Sequence, residues 1–435
     1  MKFAFGTTLL LLFLLPVPPQ VADSADWPTY HRDNARSGYL KEMADPQRLA
    51  VAWNTRLDGA VYAEPLAIGG HIIAATENNT VYSLDPQNGH IEWQTHIAPP
   101  VPRSKLPCGN INPLGITGTP AYDSATGTLF VVAETTGPSH LLVGIDAKTG
   151  QIRNRRPAEA PNGPPAPHQE RAALLVHNGM VYIAYGGLYG DCGDYHGTLM
   201  AARTDGSTGF LTFQVPTRRE GGIWAAAGPV MDANGNLFVA VGNGAAEGVT
   251  WDQSDSVMRL SSLLQIRDAF APDRWSQDNR NDEDLGSLSP VLLPNDRVFI
   301  AGKSGIGYLL PANHLGGVGG QLAQKAFCHA FGGAAVVGNE AFVPCTEGVQ
   351  ELRLDNPNDF SLGWRAADVQ GSPVVGGNTV YSLDRRGALH ALDMSNGKVR
   401  AKIEVGDTPR FATPTLYQNR IFVGTMSGVV AINPS

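Results

Sequence analysis

One short phrase recurs along this chain of 435 residues: an Asp, three residues, then a Gly, set between two apolar strand-like runs. It stands at Asp85 and Gly89, at Asp146 and Gly150, and at Asp393 and Gly397. In the first copy Val81, Ser83 and Asp85 alternate with Tyr82 and Leu84, the period of a half-buried strand. Pro86, Asn88 and Gly89 then supply turn chemistry, and Ile91 and Trp93 start a second strand. A unit of this size cannot bury its apolar faces alone. Its repetition therefore confines the chain to an array of stacked copies.

Eight strand blocks open with similar phrases, at Glu64, Thr119, Ala172, Gly228, Ser289, Ala334, Ser372 and Thr413. Each continues through a Gly- or Asn-bearing turn into an apolar strand. Glycine (50) and proline (31) are abundant and only 17% of residues are charged, yet 43% are hydrophobic, so the composition is turn-rich all-β rather than disordered. Helical periodicity is weak throughout, with at most a turn or two at residues 321–325. Short strands in repeated groups of four predict an eight-bladed β-propeller of four-stranded antiparallel blades. The eighth block runs out one strand short, and the lone strand around Trp53 supplies the missing one, closing the ring and covering an open edge. Seven blades is the alternative count, because the middle repeats are degenerate.

Residues 1–25 read as a secretory signal: Lys2 precedes a short apolar run at residues 9–15, and small residues lie near Ala22 and Ala25. The run is too short to span a bilayer, and an uncleaved anchor is the alternative. Residues 26–48 form an irregular polar lead-in, and residues 49–435 form a single propeller domain. The expected location is secreted or periplasmic. A net charge of −8 with no basic stripe argues against a nucleic-acid partner, and no transmembrane span is expected in the mature chain.

In a four-stranded meander, the turn between the second and third strands and the link to the next blade share one face. The long segments fall there, at residues 99–116, 156–170, 186–197, 217–223, 243–254 and 272–284. Function concentrates on loops held by a rigid scaffold, so this face is the expected working face. All four Cys map to it, and the expected disulfides are Cys108–Cys192 and Cys328–Cys345. Polar and aromatic residues precede the innermost strands, among them Thr117, Glu170, Arg171, Glu220, Trp224, Asp284, His329 and Arg410. They fit either a ligand pocket or a ring that solvates a water-filled channel. His196 and His329 lack metal-ligand spacing.

The repeats resemble the pyrroloquinoline-quinone-binding-like propeller repeat, and blades four and five resemble the quinoprotein alcohol dehydrogenases. The resemblance implies Trp224 as the floor under a flat quinone, and Thr117 and Arg171 of the polar ring are expected to contact the same cofactor. It implies Asn243 as a calcium ligand, Asp284 as the catalytic base and Lys303 as the cation beside the quinone carbonyls. Calcium and the cation would polarise the quinone while Asp284 takes the substrate hydroxyl proton. The chain departs from that pattern in several places. The family's adjacent Cys pair is here Cys108 followed by Gly109, and its nearby Arg is Leu114. Its calcium-binding Glu falls among Gly186 to Tyr189, leaving Asp191 and Asp194 as stand-ins, and an acidic position before the first blade falls near Tyr62.

Two functions follow. One is an exported oxidoreductase that oxidises an alcohol or similar small molecule with pyrroloquinoline quinone and calcium, passing electrons to an external acceptor. The other is a non-catalytic binding or scaffold propeller of the cell envelope that takes a protein partner on the long-loop face.

Overall fold

A computed structural model describes residues 1, 26–246, 248 and 250–435. The expected signal segment lies, apart from Met1, outside the described residues. All eight blocks become antiparallel blades of four strands, arranged as an eight-bladed propeller. The inner strands run from Leu66–Ile68 in the first blade to Thr415–Tyr417 in the eighth. The strand Leu49–Arg56 pairs with Gly428–Pro434, with Trp53 opposite Ala431, so the eighth blade is completed from the other end of the ring. Among the described residues no helix is long and apolar enough to cross a membrane.

Three sequence expectations change. Thr80–Leu84 is buried at every residue rather than on alternate ones. Each blade is sandwiched between two neighbours, so both faces of its inner strands are covered. The half-buried pattern appears only on the outermost strand, where Ile91–His96 alternates intermediate and exposed. The segment expected to carry a helical turn is instead the strand Ala323–Ala326, paired with Ile306–Pro311. A helix does form at Trp275–Asn281, within the long 272–284 segment. It is seven residues long and largely polar, with only Trp275 and Asp278 buried, too short for a helical period to show.

The recurring Gly has two jobs. Gly89, Gly150 and Gly397 all have φ between 70° and 73°, the left-handed region that ends the turn. Each also lies beneath an indole from the preceding blade. A Cβ at Gly89 would fall 2.6 Å from the Trp53 ring, at Gly150 2.6 Å from Trp93, and at Gly397 2.4 Å from Trp364. The Trp53 and Trp364 ring N–H groups donate to turn carbonyls of Pro86 and Met394, at 3.0 and 2.8 Å.

The lead-in is largely irregular, and much of it is buried. Residues 27–40 thread across the inner strands from the face of the tight turns. Trp27 bridges Ala67 of blade one, and the Pro28 carbonyl accepts from Tyr122 N–H of blade two. Asn34 takes the Met231 N–H of blade four, Ser37 the Val336 N–H of blade six, and Tyr39–Leu40 runs parallel to Val374–Gly376 of blade seven. Trp27, Tyr30, His31 and Arg36 are all buried there. Arg36 donates to the carbonyls of Tyr30 and Leu174 at 3.1 and 3.0 Å. Trp27 Nε1 and the His31 backbone N–H both donate to Glu64, at 2.8 Å each. Both expected disulfides form, Cys108–Cys192 joining the 99–116 loop to the third blade and Cys328–Cys345 within the sixth.

Replacing Gly89 with Ala would place Cβ 2.4 Å from Thr55 Oγ1 as well as against Trp53. Strain and overpacking together should cost about 2–4 kcal/mol in denaturant unfolding. Gly69 has φ 56° but open space around its missing Cβ, so Gly69→Ala should cost only about 1 kcal/mol of backbone strain. Equal losses at the two sites would remove the indole contact from the account.

Candidate functional site

The long-loop face gathers four of the residues singled out from sequence. Asp284 opens the turn into blade five, and its Oδ1 accepts the Asn243 backbone N–H at 2.7 Å. Lys303 comes from the end of Arg297–Ala301. Its Nζ lies 2.5 Å from Asp284 Oδ2 and 2.7 Å from Asp282 Oδ1. The same ammonium stands 5.8 Å from the Trp224 ring centre, a cation–π distance. Asn243 Nδ2 donates to Asp282 at 2.8 Å. Burial pushes the Asp284 carboxyl up from its ordinary value, and Lys303 pulls it back; Lys303 is itself raised by the two aspartates against a burial penalty. Close glycines let these groups meet: a Cβ on Gly242 would fall 2.2 Å from Asp284 Oδ1.

The remaining site residues lie elsewhere. Asp191 accepts the Tyr195 hydroxyl at 2.6 Å, and Asp194 sits 3.7 Å from His196; neither hydrogen-bonds to Asn243 among the described residues. Thr117 donates to Glu77 at 2.8 Å, and Arg171 to Gln169 at 2.8 Å, deeper in the channel.

The residues present do not make the calcium set that the resemblance implies. Asn243 Oδ1 is buried without a hydrogen-bond partner, an atom that a cation would satisfy. The carboxylate beside it is already engaged at both oxygens, by the Asn243 N–H and by Lys303. No group of three or more His, Cys, Asp or Glu side chains among the described residues is arranged to hold a metal ion. Trp224 also has ring partners: Phe331 and Phe411 each pack against it with centroids 6.4 Å apart. A flat quinone laid on the indole competes with these contacts.

Phe331 and Phe411 were not among the residues singled out from sequence. The signal that finds them is positional. Tyr62, Thr117, Arg171, Ser287, Phe331, Gln370 and Phe411 each stand four residues before the start of an inner strand, and so form one ring inside the channel. Tyr62, Thr117, Arg171 and Phe411 line a small cavity above the buried Tyr30 of the lead-in. Phe331, Gln370 and Phe411, with Arg410, line a larger recess of about 500 Å³ over blades six to eight. The cluster at Trp224 does not line that recess.

An eight-bladed ring of Trp-docked repeats with this cluster at its mouth has the architecture of the pyrroloquinoline-quinone-like propellers. The family model described as outer membrane protein assembly factor BamB matches residues 44–190 and 350–434, more than half of the chain, and the protein belongs to that family. No curated protein matches the chain. Among solved structures, quinohemoprotein alcohol dehydrogenase from Comamonas testosteroni is similar at 16% identity and TM-score 0.71, covering 94% of this chain and 80% of that one. A europium-containing methanol dehydrogenase gives 14% identity and 0.73, covering 94% and 98%. BamB from Moraxella catarrhalis gives 15% and 0.61, covering 88% and 99%. Identities this low show the shared fold.

Deeper in the wall, two carboxylates fasten neighbouring blades. Glu77, after the second strand of blade one, accepts the Gly115 backbone N–H at 2.6 Å, and Glu134, near the end of the second strand of blade two, accepts the Glu170 N–H at 3.0 Å. Burial pushes the Glu77 carboxyl up to about 8 despite the Gly115 and Thr117 hydrogen bonds. Glu134 is pushed up to about 7 by burial, against the pull of His140. A raised carboxyl favours folding fully below its ordinary value of 4.5, and that contribution is lost as pH rises from there through about 8. Glu77→Gln should therefore flatten the fall in thermal midpoint between those two pH values. An unchanged pH profile would show that Glu77 does not titrate on unfolding in this range.

Proposed function

We propose that this chain is a non-catalytic binding propeller of the cell envelope that holds a protein partner on its long-loop face. The observation that carries this reading is the donor set around Asn243: both Asp284 oxygens are engaged, by the Asn243 N–H and by Lys303, while the stand-in ligands Asp191 and Asp194 lie against Tyr195 and His196. The carboxylates that the dehydrogenase reading needs for calcium are therefore not gathered beside Asn243. The reading is supported by the family match to an outer membrane assembly factor and by the fold shared with BamB from Moraxella catarrhalis. It also fits a face stiffened by Cys108–Cys192 and by an apolar pad under the 99–116 loop, where Val101, Leu106, Ile111 and Leu114 pack on Leu188. Two disulfides agree with an exported location.

A specific observation favours the second reading, an alcohol-oxidising quinoprotein with an external electron acceptor. Trp224, Asn243, Asp284 and Lys303 do meet, and Asn243 Oδ1 is left without a partner. The two readings separate in a titration of the mature chain with pyrroloquinoline quinone, with and without calcium, followed by quinone absorbance and by dye reduction with a panel of alcohols. The expected outcome is no calcium-dependent binding at micromolar quinone and no dye reduction. Calcium-dependent binding with turnover, abolished in a folded Asp284→Asn variant, would replace the binding reading with the enzymatic one.

A further inference from the structure

The recess over blades six to eight is built differently from the cluster at Trp224. Its floor is aromatic: Phe331 and Phe411 lie nearly parallel, 20° apart, with centroids 6.1 Å from each other, an offset stack. The guanidinium of Arg410 stands 4.9 Å from both ring centres. That placement is unusual in one respect. Arg410 makes no ion pair and no hydrogen bond among the described residues, and it is exposed to the recess. Its donors are held in place by the rings while remaining free.

The electrostatics agree. A second arginine of the lining, Arg385, bonds the neutral Gln370 and also makes no ion pair among the described residues. Asp384 is the carboxylate of the lining, and it is compensated by His390 Nε2 and Lys402 Nζ, each at 2.9 Å. The mouth of the recess is therefore left with two uncompensated guanidinium groups above a flat apolar floor. The floor itself carries strain. Phe411 has φ 69°, a left-handed backbone uncommon for a bulky side chain. Strained conformations of this kind persist where the surroundings over-determine them, and they gather at ligand sites.

We propose that this recess binds a small aromatic carboxylate, its ring packed on Phe331 and Phe411 and its carboxylate paired with the Arg410 fork. A planar two-donor edge matches a carboxylate in a way that a point charge does not. A volume of about 500 Å³ suits a ligand of one or two fused rings. Asn243, Asp284 and Lys303 take no part in the site, and Trp224 borders it only by packing on Phe331 and Phe411 from outside the lining.

The test is calorimetric titration of the full mature chain with benzoate, 2-naphthoate and indole-3-carboxylate, beside the matching amides and cyclohexanecarboxylate. The acids should saturate with Kd of about 1 mM or tighter. The amides should bind at least about tenfold more weakly, the saturated ring more weakly than benzoate, and added salt should weaken all the acids. Arg410→Gln, at an exposed position, should lose about tenfold in affinity. Phe411→Gly suits the left-handed backbone, so it should weaken binding while leaving the thermal midpoint unchanged or higher. The proposal is overturned if no acid saturates the folded protein by about 10 mM, if amides bind as well as acids, or if Arg410→Gln leaves affinity unchanged. Asp284→Asn should leave this binding unaltered, which separates it from any quinone chemistry at the other cluster.

Discussion

The ring depends on an indole laid over a glycine. Trp53 on Gly89, Trp93 on Gly150 and Trp364 on Gly397 cross the boundaries between blades eight and one, one and two, and six and seven. In each case the glycine that ends a turn in one blade is the surface on which its neighbour rests. Local turn chemistry and lateral packing are thus written into one residue, and neither can change without the other. Where the phrase decays, other contacts take over. Phe299 of blade five packs edge-on against Phe360 of blade six at 5.3 Å, and Lys325 lies 5.2 Å from the same ring.

This division runs through the whole molecule. The stretches that match the family model, residues 44–190 and 350–434, contain the closing strand and all three indole contacts. The unmatched middle carries the helix Trp275–Asn281, Cys328–Cys345 and the full cluster of Trp224, Asn243, Asp284 and Lys303. The regular half holds the ring shut, and the irregular half shapes the mouth. That is the arrangement expected where a rigid scaffold leaves its loops free to vary. The aromatic recess straddles the seam, with Phe331 from the irregular part and Phe411 from the regular one.

Blade number, closure and disulfide pairing were legible because each follows from topology once the repeat is seen. A missing fourth strand at one end and a lone strand at the other have one economical solution, and four Cys on one face have few partners. Burial was less legible. The alternation at Tyr82 and Leu84 reports the pleat, but stacking on both sides buries the polar Ser83 as well, where Glu92 accepts its hydroxyl at 2.8 Å. The burial of the lead-in is not written in its composition either. Arg36 and His31 are polar, yet the carbonyls of Leu174 and Ala334, just before two inner strands, need donors, and the channel brings these side chains to them. In the candidate site, Asp284 and Lys303 could be placed by resemblance. Phe331 and Phe411 could not, since their shared position appears only after the inner strands are fixed.

Closure has a consequence for how the molecule comes into being. Leu49–Arg56 has its partner at Gly428–Pro434, and the lead-in just before it is bonded to blades on every side of the channel. Leu49–Arg56 must therefore wait for a strand made long after it. Until then its edge stays open, and the plug has only part of its cage. Contacts this distant in sequence make folding slow, and an unpaired edge is a site for wrong pairing. A protein of this design has its point of commitment at Gly428–Pro434: earlier blades can collapse on their own, but the ring becomes one cooperative object only when that strand docks.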